Sequence, residues 1–191
     1  MIRKERKTLE TRIALALAEN KGGESKIQTG IGFFDHMLTL FAFHSQLYVE
    51  VEADGDLEVD FHHTVEDVGI LLGQAIRDLY KSKASYERYG SFYIPMDESL
   101  ARVALDLSGR PYLNFQADFS REKVGQFDTE LVLEFFTAVA MNSRMTLHID
   151  LLKGGNSHHE IEAIFKAFGQ SLKRALAATD GGIPSSKGVI E

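Results

Sequence analysis

Two segments of this chain carry the same spacing of histidines and carboxylates. His62-His63-Thr64-Val65-Glu66 recurs as His158-His159-Glu160-Ile161-Glu162, and the match runs on through Gly73-Gln74 against Gly169-Gln170 and Ile76-Arg77 against Leu172-Lys173. Imidazole nitrogen and carboxylate oxygen are the donors that divalent first-row metals accept. On a helix, residues i and i+4 face the same way, so His62 with Glu66, and His158 with Glu162, can hold one ion together. The adjoining His63 and His159 point about 100° away and can reach another ion. A single copy fits a solvated helix N-terminus equally well, since a glutamate there favours the helix dipole. Two copies in register indicate a duplicated metal-binding half, and hence a paired metal site.

The elements that must present these groups can be read from periodicity. Residues 62–80 and 158–178 have helical spacing, with Val65, Val68, Leu72, Ile76 and Leu79 on the buried stripe of the first and Ile161, Ile164, Phe168 and Leu172 on that of the second. The ligand-type residues lie off those stripes, so other surface, such as another subunit, must complete each shell. Residues 8–17 alternate, with Leu9, Ile13, Leu15 and Leu17 on one face, as a half-buried strand; 25–31 reads as its hairpin partner after the turn at 21–23. A helix over 34–44, a strand over 46–53 and a hairpin turn at 54–56 into a short strand over 57–60 complete the first half. The second half repeats the order: strand 99–107, its partner 112–117, helix 127–141, strand 144–152, turn 153–156 and the last helix. The fold class expected is α+β, a duplicated half-domain. Each half is a mostly antiparallel four-stranded sheet with helices on one face, and the two pack together as one domain. Residues 1–191 then form a single domain of two pseudo-repeats, about 1–85 and 86–180, with a short tail at 181–191.

Further histidines are candidates. His36 sits on a short helix after the backbone-permissive Thr29-Gly30-Ile31-Gly32, and His44 lies two turns further along the same face. His148 stands alone in a strand, where histidine is usually structural.

Composition narrows the function. The chain is 44% hydrophobic and 26% charged, with a formal net charge of −7, which argues against a broad nucleic-acid face. An anionic ligand must therefore meet a local cluster of Lys and Arg. With no cysteine, neither disulfides nor thiolate metal sites are possible. No stretch approaches the length of an apolar membrane span, and the charged N-terminus, running straight into a strand pattern, is not that of a signal peptide. The expected location is cytoplasmic, with no membrane or nucleic-acid partner.

The segments Gly30-Ile31-Gly32-Phe33-Phe34-Asp35-His36-Met37-Leu38, Phe61-His62-His63-Thr64-Val65-Glu66-Asp67, Asp106-Leu107-Ser108-Gly109-Arg110-Pro111-Tyr112, Asn156-Ser157-His158-His159-Glu160-Ile161-Glu162-Ala163 and Pro184-Ser185-Ser186-Lys187-Gly188 resemble imidazoleglycerol-phosphate dehydratase, a histidine-biosynthesis enzyme. The resemblance spans essentially the whole chain and fits the single-function form, without a fused phosphatase domain. It implies two Mn2+ ions per active site and a homo-oligomeric shell of 24 subunits with active sites between chains. The ligands it implies are His36, His62, His63, Glu66, His158, His159 and Glu162. Where many members read Glu-His-Phe-Phe this chain has Leu133-Glu134-Phe135-Phe136, which makes Glu134 either a carboxylate ligand in place of an imidazole or a neighbour of the site; the ligand is preferred. Implied catalytic carboxylates are Glu10, Glu66 and Glu162. Substrate contacts fall to Glu10, His36, His44, His62, Glu66 and His158, and phosphate contacts to Arg88, Arg110, Lys166, Ser185, Ser186 and Lys187.

The implied reaction converts D-erythro-imidazole-glycerol phosphate into imidazole-acetol phosphate with loss of water. The hydrogen removed is not next to a carbonyl and has no ordinary acidity. Two cations, one on each ring nitrogen, would hold the ring as imidazolate, able to expel the neighbouring hydroxyl through a diazafulvene-like intermediate. A carboxylate then takes the proton. Two other classes share the histidine clusters: a metal store or sensor without turnover, and a dinuclear metallohydrolase. The first leaves Glu10 and the cationic residues without purpose; the second predicts release of phosphate rather than dehydration.

Overall fold

The computed structural model describes residues 1–185. The first half contains β1 (Ile2–Lys7), β2 (Thr11–Glu19), β3 (Lys26–Gln28), α1 (Gly32–Ser45), β4 (Leu47–Gly55) and α2 (His62–Lys81). The second contains β5 (Tyr89–Met96), β6 (Ser99–Asp106), β7 (Tyr112–Gln116), the short β8 (Lys123–Val124) and β9 (Phe127–Asp128), then α3 (Leu131–Ser143), β10 (Thr146–Lys153) and α4 (Ser157–Leu176). The sheets have the orders β1-β2-β4-β3 and β5-β6-β10-β7, the same order of corresponding strands. The fold is α+β, with three antiparallel strands and one parallel edge strand in each sheet.

Helices from the two halves pack against each other between the sheets, α1 on α4 and α2 on α3. The predicted stripes supply this core: Val65, Val68, Leu72 and Ile76 of α2, and Ile161, Ile164, Phe168 and Leu172 of α4, are all buried. Phe41 and Phe136 pack on Phe168 at ring separations of 5.2 and 5.3 Å, and Phe135 stacks on Phe165 at 5.3 Å. The crossings are duplicated in detail. A Cβ on Gly73 would meet the Val139 carbonyl oxygen at 2.7 Å and the Ser143 nitrogen at 3.0 Å; one on Gly169 would meet the Phe41 oxygen and the Ser45 nitrogen, each at 3.0 Å. Phe41 and Ser45 precede Val139 and Ser143 by the same 98 positions that separate Gln46 from Arg144, the left-handed residues that end α1 and α3. Glycine at these points lets the helix backbones approach as side chains would not.

Several expectations about pairing are corrected. Segment 25–31 is not a hairpin partner of β2. Only its residues Lys26–Gln28 form a strand, parallel to β4, because β1 and β4 already occupy both edges of β2. Thr29 then leaves the sheet, donating from its backbone N–H and hydroxyl to Asp35. For the same reason 112–117 does not pair with 99–107: β6 is flanked by β5 and β10, so β7 lies parallel to β10. Residues 57–60 form a turn instead of a strand, closed by Val59 N–H to Asp56 O. Residues 127–128 belong to β9, and the helix expected from 127 starts at Leu131. Leu9 is fully exposed (107%), not part of the inward face of β2, because residues 8–10 turn back on the Thr8 hydroxyl. Strands β1 and β5 are additional to the sequence reading.

Strand β5 lies very close against α4, where a Cβ on Gly90 would lie 1.8 Å from the Ser171 carbonyl oxygen. Gly90→Ala is expected to destabilise the protein by about 3 kcal/mol, because the helix must shift to admit a methyl group. Gly23→Ala, whose Cβ would touch only the Tyr48 ring at 3.6 Å, should change stability by less than about 0.5 kcal/mol. Urea unfolding of the metal-free forms measures both.

Candidate active site

Both His-His-x-x-Glu segments open a long helix. The rings of His62 and His63 lie 6.0 Å apart at 89°, and those of His158 and His159 lie 6.1 Å apart at 81°, so the two pairs are near copies in geometry. In each, the first histidine faces the glutamate one turn on: His62 Nε2 is 3.9 Å from Glu66, and His158 Nε2 is 3.3 Å from Glu162. The α1–α4 crossing adds His36, whose Nε2 lies 3.6 Å from the same Glu162 oxygen. Donor atoms of His36, His158 and Glu162 fall within 4.8 Å of one another. Two ligands on one first-row ion can stand at most about 4.4 Å apart, so a small adjustment makes three nitrogen and oxygen ligands for one ion. The donor set fits such an ion, and Phe33, edge-on to His158 at 5.2 Å, walls the site on its apolar side. A cleft of about 520 Å³ opens there, lined by Gly30, Gly32, Phe33, His36, Phe61 and His158.

Glu162 is buried and is held by Lys166 at 2.5 Å. Burial works against its charge, but the Lys166 hydrogen bond and charge outweigh it, and with His36 and His158 keep the carboxyl below its ordinary pKa. Two turns beyond His36, His44 accepts from Gln170 Nε2 at 3.4 Å, and burial, reinforced by Lys166, pushes its pKa down. The α1–α4 groove thus carries His36, Glu162, Lys166, His44 and Gln170 along its length.

The second cluster forms around α2. His63 Nδ1 lies 3.0 Å from Asp56, and its Nε2 is 3.7 Å from Glu10. Glu10 sits in the β1–β2 turn, which buried Asp67 ties to α2 by accepting from Arg6 Nε at 2.6 Å and from the Thr11 hydroxyl at 2.5 Å. Glu134 occupies on α3 the place of His36 on α1, each ten residues before the left-handed cap. It is half-buried, yet among the described residues it is not in a three-donor group with His62 and Glu66. One chain brings together the His36–His158–Glu162 group but not its counterpart. His148 lies beside the Tyr112 ring at 5.7 Å, in a strand outside both clusters.

The cationic candidates divide. Lys166 is at the Glu162 cluster. Arg88 is bidentate to Asp106 (2.7 and 3.0 Å) and donates to the Pro184 carbonyl at 2.6 Å; Arg110, largely exposed, is 3.7 Å from the same aspartate. Arg88 also takes a left-handed φ of 72°, a strain that its fixed partners sustain. Its N–H bonds the Ala175 carbonyl, 17 residues along α4 from His158, or about 25 Å. Ser185 lies beside Pro184; Ser186 and Lys187 fall outside the described residues. The sequence reading passed over Asp56, which faces His63, and the adjacent Asp97 and Glu98, which with His159 make a further three-donor group on the exposed side of α4; acids in turns carry no periodic signal.

The family model for imidazoleglycerol-phosphate dehydratase matches residues 29–172. The chain belongs to this family. Its members are metal-dependent hydro-lyases that dehydrate imidazoleglycerol phosphate in histidine biosynthesis. The family's enzyme from Staphylococcus carnosus (strain TM300) is 61% identical over 99% of this chain and 98% of its own length. That of Staphylococcus saprophyticus subsp. saprophyticus is 58% identical over the full length of both. Among solved structures, the dehydratase from Staphylococcus aureus subsp. aureus N315 aligns at a TM-score of 0.86 with 54% identity, covering 93% of this chain and 98% of that one. The dehydratase from Pyrococcus furiosus, solved in complex with (S)-C348, aligns at 0.85 with 36% identity over 97% and 99%. Of the motif positions, His36, His62, His63, Glu66, Glu134, His158, His159 and Glu162 all lie inside the matched span, whereas Glu10 lies before it.

Removing the lysine from the dehydratase cluster should expose the competing effect of burial. In metal-free Lys166→Met, the Glu162 carboxyl should titrate at higher pH than in the native protein. The stability that the depressed pKa gives above the ordinary carboxylate range, and that is lost as pH falls through the depressed value, should disappear with it. Carboxyl carbon NMR shifts against pH, together with melting temperatures at pH 4 and 7, measure the two effects.

Proposed function

We propose that this dehydratase converts imidazoleglycerol phosphate to imidazole-acetol phosphate at a two-manganese site completed between subunits. The observation that carries the reading is the convergence of His36, His158 and Glu162, from both halves of the duplicated chain, on one point. These three would hold one ion, and His62, Glu66 and Glu134, in the corresponding places, the other; His63 and His159, turned aside, would complete shells on neighbouring chains. Mixed shells of imidazole nitrogen and carboxylate oxygen admit manganese among the first-row ions. The whole chain, residues 1–191, would act as one catalytic unit of two pseudo-repeats, about 1–85 and 86–180, with the tail from 181 contributing to the phosphate site.

When bound, the two cations would stabilise the substrate ring as imidazolate, so that loss of the hydroxyl through a diazafulvene becomes accessible at neutral pH. The chain's own groups do the rest. Glu10, with half its side chain exposed beside His63, would take the carbon-bound proton as the enol forms. Glu66 and Glu162, as metal-side carboxylates, would offset part of the charge of the two cations. Lys166 and His44 line the groove that the glycerol chain would follow. Arg110, with Arg88 and the segment from Ser185 to Lys187, offers donors to the phosphate.

Geometry favours a site shared by several chains. The His158 end of α4 and the Arg88 cluster stand about 25 Å apart along one helix, whereas the substrate spans roughly 10 Å from ring to phosphate. This spacing supports a reading in which the two clusters meet one substrate from different subunits. That supports a closed homo-oligomer, for which the family's 24-subunit shell is the proposed form. The proposed location is cytoplasmic; no helix among the described residues is long and apolar enough to cross a membrane.

Purified protein loaded with Mn2+ should dehydrate imidazoleglycerol phosphate; liberation of inorganic phosphate without the ketone product would instead mark a hydrolase. Glu10→Gln should lower kcat by about 10²- to 10⁴-fold while bound manganese is unchanged. Arg110→Ala should raise KM and leave the metals in place. His158→Ala should lose manganese and reduce particle size by light scattering together, because its ion joins chains. A full-size particle with full metal content in that variant would contradict the shared site.

A further inference from the structure

The duplicated fold gives Glu10 a twin. Leu17 of β2 faces Val49 of β4, and Leu105 of β6 faces Leu147 of β10, the same places in the two sheets. Seven residues before Leu17 is Glu10, in the β1–β2 turn; seven before Leu105 is Glu98, in the β5–β6 turn. Each glutamate faces the second histidine of the repeated pair on its own half: Glu10 faces His63 and Glu98 faces His159. They address different nitrogens. Glu10 is 3.7 Å from Nε2 of His63, whose Nδ1 is already taken by Asp56 at 3.0 and 3.2 Å. In the second half the residues following β10 are Gly154 and Gly155, so no carboxylate corresponds to Asp56. Glu98 fills that space. Both its oxygens lie 3.2 Å from Nδ1 of His159, and a Cβ on Gly155 would strike Glu98 Cγ at 2.9 Å.

We infer that Asp56 and Glu98 are paired positioning residues that fix Nδ1 of His63 and of His159, so that Nε2 of each is the metal-binding nitrogen. A carboxylate can only accept, so each Nδ1 must carry the proton and each neutral ring presents its lone pair at Nε2. Such carboxylate–imidazole pairs orient the ring and raise its basicity toward a metal. The glycine pair at 154–155 lets Glu98 do in the second half what Asp56 does in the first. The consequence is an asymmetry: Asp56 leaves Glu10 unspent, whereas its twin is committed to a histidine. The inference rests on the proposed reading of His63 and His159 as ligands, and concerns what sets their orientation.

The test is Mn2+ binding to the metal-stripped full chain, followed by the electron paramagnetic resonance signal of free Mn2+, for Glu98→Ala, Glu98→Gln, Asp56→Ala and His159→Ala. Glu98→Ala and Asp56→Ala are each expected to weaken manganese binding by about 10- to 100-fold. Glu98→Gln should restore affinity to within a few-fold, since an amide oxygen still accepts from Nδ1–H. Nitrogen-15 spectra of the metal-free protein should show the His159 proton fixed on Nδ1 in the native chain and in Glu98→Gln, and redistributed in Glu98→Ala. Affinity in Glu98→Ala within twofold of native, while His159→Ala loses manganese, would overturn the positioning role and leave the ligand reading intact. A loss in Glu98→Gln as large as in Glu98→Ala would make Glu98 a ligand itself and also overturn it. Full manganese binding in His159→Ala would overturn the ligand reading and this inference with it.

Discussion

A pair of helix crossings governs where chemistry can occur in this molecule. Because Gly73 and Gly169 carry no side chain, α2 lies against the backbone of α3 and α4 against that of α1. At the second crossing, His36 from one half comes within 3.6 Å of Glu162 from the other. Neither half could assemble that group alone, since each contributes a helix with only part of the donor set. The phenylalanines around Phe135, Phe136, Phe165 and Phe168 hold the crossing fixed. Ligand placement is thus a by-product of core packing, and a change in the core that rotates α1 by a few degrees would spread the donors.

Much of this was legible in the sequence because helical periodicity is a local signal. The buried stripes of α2 and α4, the off-stripe position of the histidines and the repeat itself all follow from residue spacing. Strand pairing does not. The parallel placement of β3 and β7 depends on which edges of β2 and β6 are already filled, and no local pattern reports that. Strand β1, with Ile2 its one apolar residue among charges, looks like solvated chain until its pairing with β2 is known. At the site, the motif histidines announced themselves, but Asp56 and Glu98 did not. Their roles arise from distances across turns separated from their partners by 7 and 61 residues.

The cationic residues illustrate a different limit. The family resemblance groups Arg88, Arg110 and Lys166 as donors for one phosphate. The fold sends Lys166 to the middle of α4 beside Glu162 and Arg88 to its far end, bound to Asp106. An arginine already bidentate to a carboxylate serves a phosphate less as a free hand than as part of a fixed frame, with exposed Arg110 the more available donor. A helix is a rigid spacer, so if both ends of α4 serve one substrate, as proposed, that substrate must touch more than one chain.

Duplication also poses a problem that this fold resolves by breaking its own symmetry. Two equivalent halves suit a ring with two similar nitrogens, yet elimination is directional: one carbon loses a proton and its neighbour loses a hydroxyl. On the proposed reading of Glu10 as the base, two turn glutamates equally placed and equally free would give the site two bases where the reaction uses one. The glycines after β10 remove the side chain that, on the other half, satisfies the histidine. Glu98 is drawn onto His159, and Glu10 keeps an open flank beside Nε2 of His63. On the proposed reading, corresponding carboxylates serve as a scaffold on one half and a base on the other, with the difference set by the side chains missing at 154–155 rather than by any change in the glutamate itself.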